Sequence, residues 1–565
     1  MTTPAMRILI IGGYGVFGGR LAQLLADEPR LTLVVAGRSE AKAAAFCAGL
    51  PARATLMPAA FDRDGEVAAQ LTALAPAIVI DATGPFQAYG DNPYRVVQAA
   101  LDLGIHYMDL ADGSDFVRGI TAFDQAAKAR GLFILAGVSS FPVLTAAVVR
   151  HLAHDLRTLL SITGGIAPSP YAGVGLNVIR AIASYAGHPV ALTHNGQPAS
   201  GYGLTQTMRL TICPPGRLPL RNILFSLVDV PDLQLLAPEW PGVGSIWMGA
   251  GPVPEVLHRM LIALAWTVRL KLLPSLSLFA PLFHRVINVV RWGEHRGGMF
   301  VRVAGVTAGG QATTRTWHLL AEGDDGPFIP SMAIEALVRR ILDGVPPLPG
   351  ARPAIAELEL ADYDAVFARR SIFTGIRDPA ACSAAAPLFQ HILGDAWDRL
   401  PAPLQRLHGS ASTLATGRAS VERGTNAAAR AIGWLIGFPT ASPDIPVAVA
   451  FTRHAGTETW RRSFGSASFS STMSAGAGRA DGLLNERFGP FIFGLSLVLE
   501  RERLNLVVRR WSAFGFPMPA ILAPTGDAFE HVDADGLFHF DVEIRLPLAG
   551  RIVRYRGYLV PIGAS

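Results

Sequence analysis

Residues 7–18, RILIIGGYGVFG, constrain the fold more than any other stretch of the chain. The branched apolar run Arg7–Ile11 reads as a buried strand, and LAQLLA after the glycines has helical spacing. Between them lies Gly13-x-Gly15-x-x-Gly18. Glycines at this spacing let the chain turn tightly, let its backbone approach a diphosphate, and let the helix pack closely on the strand. The helix start then offers free N–H groups to the anion. The motif predicts a dinucleotide-binding βαβ unit, with Gly13, Tyr14, Gly15, Val16, Phe17 and Gly18 around the diphosphate. A glycine-rich turn in an α/β fold without nucleotide is the alternative reading of the same residues.

A second strand is expected at Leu31–Ala36, and the choice of cofactor is read where it ends. An NAD-dependent protein usually places an acid there to hold the ribose 2′-hydroxyl. This chain has Gly37-Arg38-Ser39. A guanidinium pairs bidentately with a 2′-phosphate and a serine hydroxyl adds a donor, so NADP(H) is expected over NAD(H). Strands at Ile78–Asp81, Tyr107–Leu110 and Leu132–Ala136, alternating with helices at Pro93–Leu103 and Phe123–Arg130, predict an α/β fold with a doubly wound Rossmann sheet. Thr83, Gly84 and Pro85 are expected as a wall on the nicotinamide side. Tyr107, Asp109 and Asp112, at the carboxyl end of their strand, are candidates to donate or relay a proton. Each reads equally well as a loop cap or a hydrogen-bonded structural residue.

The chain's 565 residues exceed what one core supports, roughly 250–300 residues. Three domains are expected: the Rossmann domain over 1–155, an α+β domain over 156–380, and a β-rich domain over 388–565. In the second, Met299–Val306 and Thr313–Ala321 read as strands joined by AGGQA. The Pro-rich stretch Val345–Pro353 and the Ala-rich stretch Pro379–Pro387 read as boundaries. In the third, strand-like segments fall at Val447–Thr452, Phe491–Leu499, Leu504–Trp511, Phe538–Leu546 and Arg551–Leu559. Trp397, His408, Trp460, Arg461, Arg462, Glu486 and Asp541 stand out there and read as core residues without assigned chemistry.

The apolar stretch Leu257–Val290 is long enough to span a bilayer but is interrupted by Arg259, Arg269, Lys271, His284 and Arg285, and broken by Pro274 and Pro281. It is expected to form amphipathic helices that line or cover an apolar substrate site, with plain core or dimer packing as the alternative. Basic residues are scattered and the net charge is +5, which argues against a nucleic-acid partner. Only Lys42, Lys128 and Lys271 are lysines, so Schiff-base chemistry is nearly excluded. Cys47, Cys213 and Cys382 follow no metal-ligand spacing, so no metal is expected. Together with the lack of a recognisable signal peptide, the cysteine usage points to the cytoplasm.

Residues 6–150 resemble the NADP-binding domain of the saccharopine dehydrogenase-like oxidoreductases, through GGYGVFGGRLA, VVAGRS, VIDATGPF, AALDLGIHYMDLADG and AGVSSFP. The resemblance continues more weakly to about residue 376, where FVRVAGVTAGG and DDGPFIPSMAIEALVRRIL are similar to the family's substrate and dimerisation region. From about residue 388 the chain is similar to an uncharacterised domain found fused behind such reductases, through LGDAWDRLPAPLQRLHG, TWRRSFG, ERFGPF and FGFPMP. The resemblance implies an oxidoreductase. A dicarboxylic amino-acid conjugate would need cationic groups to hold it, whereas the second domain is apolar and the chain has almost no lysine. The expected activity is therefore NADP(H)-dependent chemistry on an imine, carbonyl or enoyl group of an apolar, lipid-like substrate. A non-catalytic NADP(H) sensor or scaffold is the alternative, and a homodimer and a peripheral membrane contact are open.

Overall fold

The structure, a computed structural model, describes residues 5–380, 386–410, 412–454 and 456–562. Cys382 and the middle of the Ala-rich stretch Pro379–Pro387 lie outside the described residues. The chain forms two compact units, one from Met1–Arg209 and Ile223–Phe373, the other from Leu210–Asn222 and Thr374–Ser565.

The first unit opens with β1 (Met6–Ile11), α1 (Val16–Leu25) and β2 (Leu31–Gly37), followed by β3 (Thr55–Ala60), β4 (Ile78–Asp81), β5 (His106–Asp109) and β6 (Phe133–Ala136). They lie in the order β6-β5-β4-β1-β2-β3, with parallel neighbours throughout. This is the doubly wound sheet that the alternating pattern predicts, and its order reverses between β1 and β4. In such sheets a crevice forms at that reversal, outside the carboxyl ends of the strands. The strands are wholly buried where both faces carry helices, as at Ile8–Ile11.

The sheet corrects the sequence reading at its two edges. On one side β3, TLMPAA, is largely exposed and has no β pattern, and it holds Pro58 because an edge strand has no ladder donor to lose. On the other side Gly350–Pro353 pairs parallel with β6. The stretch Val345–Pro353, expected as a boundary, therefore supplies a seventh strand. Asp124 holds that strand by accepting the Ala351 N–H at 3.0 Å.

A mixed sheet completes the unit. Its strand Leu156–Ala167 pairs parallel with Ser245–Ala250 and antiparallel with Arg296–Thr307, which forms the expected hairpin with Ala312–Glu322. Leu257–Val290 is divided into helices Glu255–Arg269 and Ala280–Val289, the second with Pro281 in its first turn, where proline costs no hydrogen bond. Among the described residues no helix is long and apolar enough to cross a membrane. Helix Ile329–Leu342 packs on α1, and its Ser331 hydroxyl donates to the Phe17 carbonyl at 3.1 Å.

The second unit is a closed antiparallel barrel. Ten strands follow one another around it: Phe491–Glu500, Leu484–Phe488, Ala467–Ala475, Thr457–Phe464, Ser442–His454, Ser412–Arg423, Gly550–Ile562, Phe538–Leu546, Ala528–Val532 and Arg503–Ala513. The last pairs with the first and closes the ring. All five segments read as strand-like in this region fall on barrel strands. Helices Leu388–Leu393 and Ala402–Gly409 contribute Phe389, Leu404 and Leu407 to the barrel's core.

Candidate functional site

The glycine loop fills the turn between β1 and α1, and its glycines meet different surroundings. Gly12 takes a φ of +76°, which disfavours a side chain, and an added Cβ would lie 3.0 Å from the Ala82 carbonyl oxygen. A Cβ on Gly13 would lie 2.8 Å from the Ile10 carbonyl, and one on Gly18 only 2.3 Å from that of Gly12. Gly15 differs, because its φ of −81° is open to any residue. A Cβ there meets only the Gly12 carbonyl oxygen at 3.0 Å at close range, so space is left beside the helix start. Helix α1 has no side-chain cap and no acid in its first turn, so its first N–H groups carry an uncompensated partial positive charge.

At the end of β2, Gly37 lies under the Tyr14 ring, 2.6 Å from where its Cβ would stand. The Tyr14 hydroxyl accepts the Ser39 N–H at 3.1 Å, so Tyr14 braces the loop that carries Arg38. The Ser39 side chain accepts the Lys42 N–H and caps the next helix, which leaves its hydroxyl proton to donate elsewhere. Arg38 itself is exposed.

At the end of β4, buried Asp81 accepts the N–H of Thr83 at 3.0 Å and its hydroxyl at 2.6 Å. Thr83 also shares a 2.6 Å hydrogen bond with the Tyr89 hydroxyl, and the Arg63 guanidinium stacks 3.3 Å from the Tyr89 ring centre. Burial raises the Asp81 carboxyl above its ordinary range, against these hydrogen bonds. Beyond Thr83, the Gly84 carbonyl accepts from Asn177 Nδ2 at 3.0 Å. Thr83 and Gly84 are thus held by hydrogen bonds at the strand end, with Pro85 next in the chain.

The three proton-donor candidates separate clearly. Tyr107 is fully buried in the core of the sheet, where burial pushes its hydroxyl far above its usual value. Asp109 is also fully buried. Its Oδ1 accepts the N–H groups of Ala111 at 2.9 Å and Gly137 at 2.7 Å, tying β5 to the end of β6. Burial raises this carboxyl to about 7, and the Asp81 charge adds to the rise. Asp112 alone of the three reaches open space, where it faces a cavity and accepts from Gln87 Nε2 at 3.1 Å.

That cavity has a volume of about 390 Å³. Val16, Phe17 and Arg20 from α1 form one wall, and Val178, Ile179 and Ile182 from helix Leu176–Tyr185 form another. Leu261, Phe283 and Ile287 enter from the two helices of the 257–290 stretch. The lining is mostly apolar, broken by Arg20, Gln87, Asp112, Ser140, Ser169, Tyr185 and Asp229. Low polarity shifts these groups towards their neutral forms. Burial raises the Asp112 carboxyl, and burial together with the charges of Asp115 and Asp112 raises that of Asp229. Tyr185 is pushed well above its ordinary value by burial, with Asp229 and Asp112 adding to it. Burial lowers Arg20, which donates to the Ala172 carbonyl at 2.9 Å.

Tyr185, Asp229 and Arg20 were not among the residues expected from the sequence. Asp229 left a signal, since it ends the apolar run Ile223–Val228 as an acid at a strand end. Tyr185 left none.

Residues 8–135 match the family model described as the saccharopine dehydrogenase NADP binding domain, and residues 400–559 match that of a domain of unknown function, DUF4166. No curated protein matches the chain. Among solved structures it is similar to the apo saccharopine dehydrogenase (L-Glu forming) of Saccharomyces cerevisiae, at 12% identity over 66% of this chain and 99% of that one, with a TM-score of 0.46. It is also similar to the WlbA dehydrogenase of Thermus thermophilus in complex with NAD and alpha-ketoglutarate, at 12% identity over 65% and 93% of the two chains and a TM-score of 0.28. A third is biliverdin reductase of Synechocystis sp. PCC 6803 in complex with biliverdin and NADP+, at 14% identity over 61% and 93% with a TM-score of 0.27. Residues 8–135 are thus similar to the saccharopine dehydrogenase NADP binding domain, and their sheet has the strand order of a doubly wound dinucleotide-binding fold.

Proposed function

We propose that the protein is an NADP(H)-dependent oxidoreductase that acts on an imine, carbonyl or enoyl group of an apolar substrate. The observation that carries this reading is that Val16 and Phe17 belong both to the glycine loop and to the wall of an apolar cavity containing Asp112 and Asp229. In this reading Gly13, Gly15 and Gly18 bring the start of α1 to the diphosphate, and Arg38 and Ser39 hold the 2′-phosphate. The open side of Gly15, the uncapped helix and the exposed guanidinium all suit such a ligand. Thr83, Gly84 and Pro85 support the nicotinamide side. The bound nicotinamide supplies the hydride chemistry. Asp112, with its carboxyl raised by burial, holds a proton for the reacting group, and the apolar walls exclude water. Tyr107 and Asp109 position the end of β5 from within the core.

The test is NADPH oxidation against a panel of long-chain ketones, imines and enoyl thioesters, guided by mass spectrometry of any ligand that co-purifies. Asp112→Asn should lower kcat roughly a hundredfold with NADPH affinity unchanged. An unaltered kcat would remove Asp112 from the reaction, and NADPH binding without turnover on any substrate would favour the sensor reading.

A second reading, peripheral membrane contact, has its own support. Val256, Met260 and Leu270, then Leu278, Leu282 and Val289, are all exposed, Leu278 at 88%, and Trp292 follows at 71%. Arg259, Lys271, Arg285 and Arg291 lie among them in the sequence, and Glu255 is the one acid between residues 255 and 292. An exposed apolar surface among cations suits anionic lipid better than a second copy carrying the same charges. Flotation with anionic vesicles tests it, and a stable homodimer in their absence would favour self-association.

A further inference from the structure

We propose that the barrel of the second unit is a binding site for an uncharged aromatic molecule carrying one hydrogen-bonding group, of the phenol class. The argument starts from strand number. An eight-stranded barrel has an interior just wide enough for side chains to fill or for one small ligand, and width grows with each added strand. Ten strands close this ring, and a cavity of about 160 Å³ remains inside it. An apolar cavity of about 150 Å³ holds a benzene ring.

Alternation along the strands shows which side chains face inward. Val447, Val449 and Phe451 line the cavity from one strand, and Trp460, Arg462 and Phe464 from the next. Arg462 thus takes an inward position between two aromatic residues, and Glu486 faces in from Leu484–Phe488. Both are buried. Arg462 Nη2 donates to Glu486 Oε1 at 3.1 Å, its Nη1 donates to the Ser471 hydroxyl at 2.9 Å, and that hydroxyl donates to Glu486 Oε1 at 2.7 Å.

A buried ion pair rarely stabilises more than apolar residues of the same volume would, so its placement on a cavity wall calls for another role. The pair offers a donor and an acceptor whose charges cancel, and a ligand with net charge would enter uncompensated. The other acids on the lining are already engaged: Glu530 with His408 Nε2 at 2.6 Å, and Glu543 with Arg551 Nε at 2.6 Å. This selects a neutral hydroxyl or carbonyl on an apolar ring. The ring's pairing is sparsest at one seam. Arg503–Ala513 pairs with Ala528–Val532 at only two positions, Leu504 with Glu530 and Asn505 with Phe529. Beyond them Leu506 and Val508 on one side, and Pro524 and Gly526 on the other, border the cavity.

The test uses the full chain with p-cresol and toluene as probes, read by calorimetry. The expected result is saturable p-cresol binding, at least roughly tenfold tighter than toluene. Leu506→Trp, which fills the cavity, should abolish both. The double variant Arg462→Met/Glu486→Gln, which removes the pair without leaving one charge alone, should bring p-cresol down to the toluene level. Because either variant could disturb folding, a third arm leaves the barrel intact: 4-bromophenol should quench the Trp460 fluorescence, identified by difference against Trp460→Phe. Absence of saturable p-cresol binding, binding unchanged in folded Leu506→Trp, or quenching equal with and without Trp460 would each overturn the proposal. None of these readouts depends on NADPH or turnover.

Discussion

The parallel sheet of the first unit and the barrel of the second dispose of strand edges in opposite ways, and this decides where each can hold a ligand. The sheet stays open. Its central strands are buried on both faces, so the functional groups gather at the carboxyl ends: the glycine loop after β1, Asp81 at the end of β4 and Asp109 at the end of β5. Core residues such as Tyr107, a few ångströms back along a strand, are shut away from that crevice. The barrel has no such end. Every second residue of each strand faces inward, so its packed core and its cavity share the same side chains, and Trp460 belongs to both. A site at strand ends can change without disturbing the core; one inside a barrel cannot.

If the two architectures are separable, damage to one should spare the other. Gly417 and Gly557 lie on neighbouring barrel strands, and a Cβ on Gly417 would stand 1.8 Å from the Tyr558 carbonyl oxygen. Gly417→Val should destabilise the barrel by about 3 kcal/mol or more, seen as an early transition in thermal unfolding. NADPH affinity measured below that transition should stay within roughly twofold. Loss of both together would join the two units into one cooperative structure.

Two glycines in the loop should differ as sharply. Gly18→Val forces a side chain against the Gly12 carbonyl and should weaken NADPH roughly a hundredfold while lowering the melting temperature of the first unit. Gly15→Val should lower that temperature less and still block the nucleotide, because its φ suits any residue and its side chain intrudes on the ligand's space. Nucleotide affinity preserved in folded Gly15→Val would displace the diphosphate from the start of α1.

Arg38→Ala sharpens the comparison at one strand end. It should weaken NADPH roughly ten- to a hundredfold and leave NADH nearly unchanged, as fluorescence titration can show. Equal loss for both nucleotides would assign Arg38 a role unrelated to the 2′-phosphate.

The last effect, on stability alone, concerns a carboxyl buried in the first unit. Asp232 is fully buried, and burial raises it to about 7. An unfolded aspartate titrates near 3.9, so the folded state holds a proton that the unfolded state has released between these two values. Stability should therefore fall as pH rises from about 4 to about 7, and level off above. Asp232→Asn should remove its share of that fall, a difference on the order of 4 kcal/mol at pH 8, read from urea unfolding across the pH range. A parallel pH dependence in the variant would mean that Asp232 titrates normally.

The glycine loop and the strands around it were legible because local signals agreed: glycine spacing, apolar runs and helical periodicity all indicate one unit. The strand β3 was not, since an exposed edge has no core face to impose a pattern on TLMPAA. The barrel was legible only as strands. Its closure rests on Phe491–Glu500 finding Arg503–Ala513 beside it while Ser412–Arg423 reaches across to Gly550–Ile562, more than a hundred residues away, and no local signal carries such a pairing. The position of Arg38 just after β2 was legible from the apolar run that precedes it. Asp229 and Tyr185 join the cavity only through tertiary packing, and the raised carboxyl of Asp109 reflects burial that its neighbours in sequence do not show.

The strand Gly350–Pro353 bears on how the protein is made. It is the partner of β6, yet it leaves the ribosome more than 200 residues after β6 does. At about 5–20 residues per second, the flank of β6 stays uncovered for roughly 10–40 s during each round of synthesis. An unpaired strand flank is a template for pairing with another chain. Nascent chains on neighbouring ribosomes are thus at greatest risk of association during that interval, and a fragment ending near residue 155 would keep the open flank permanently.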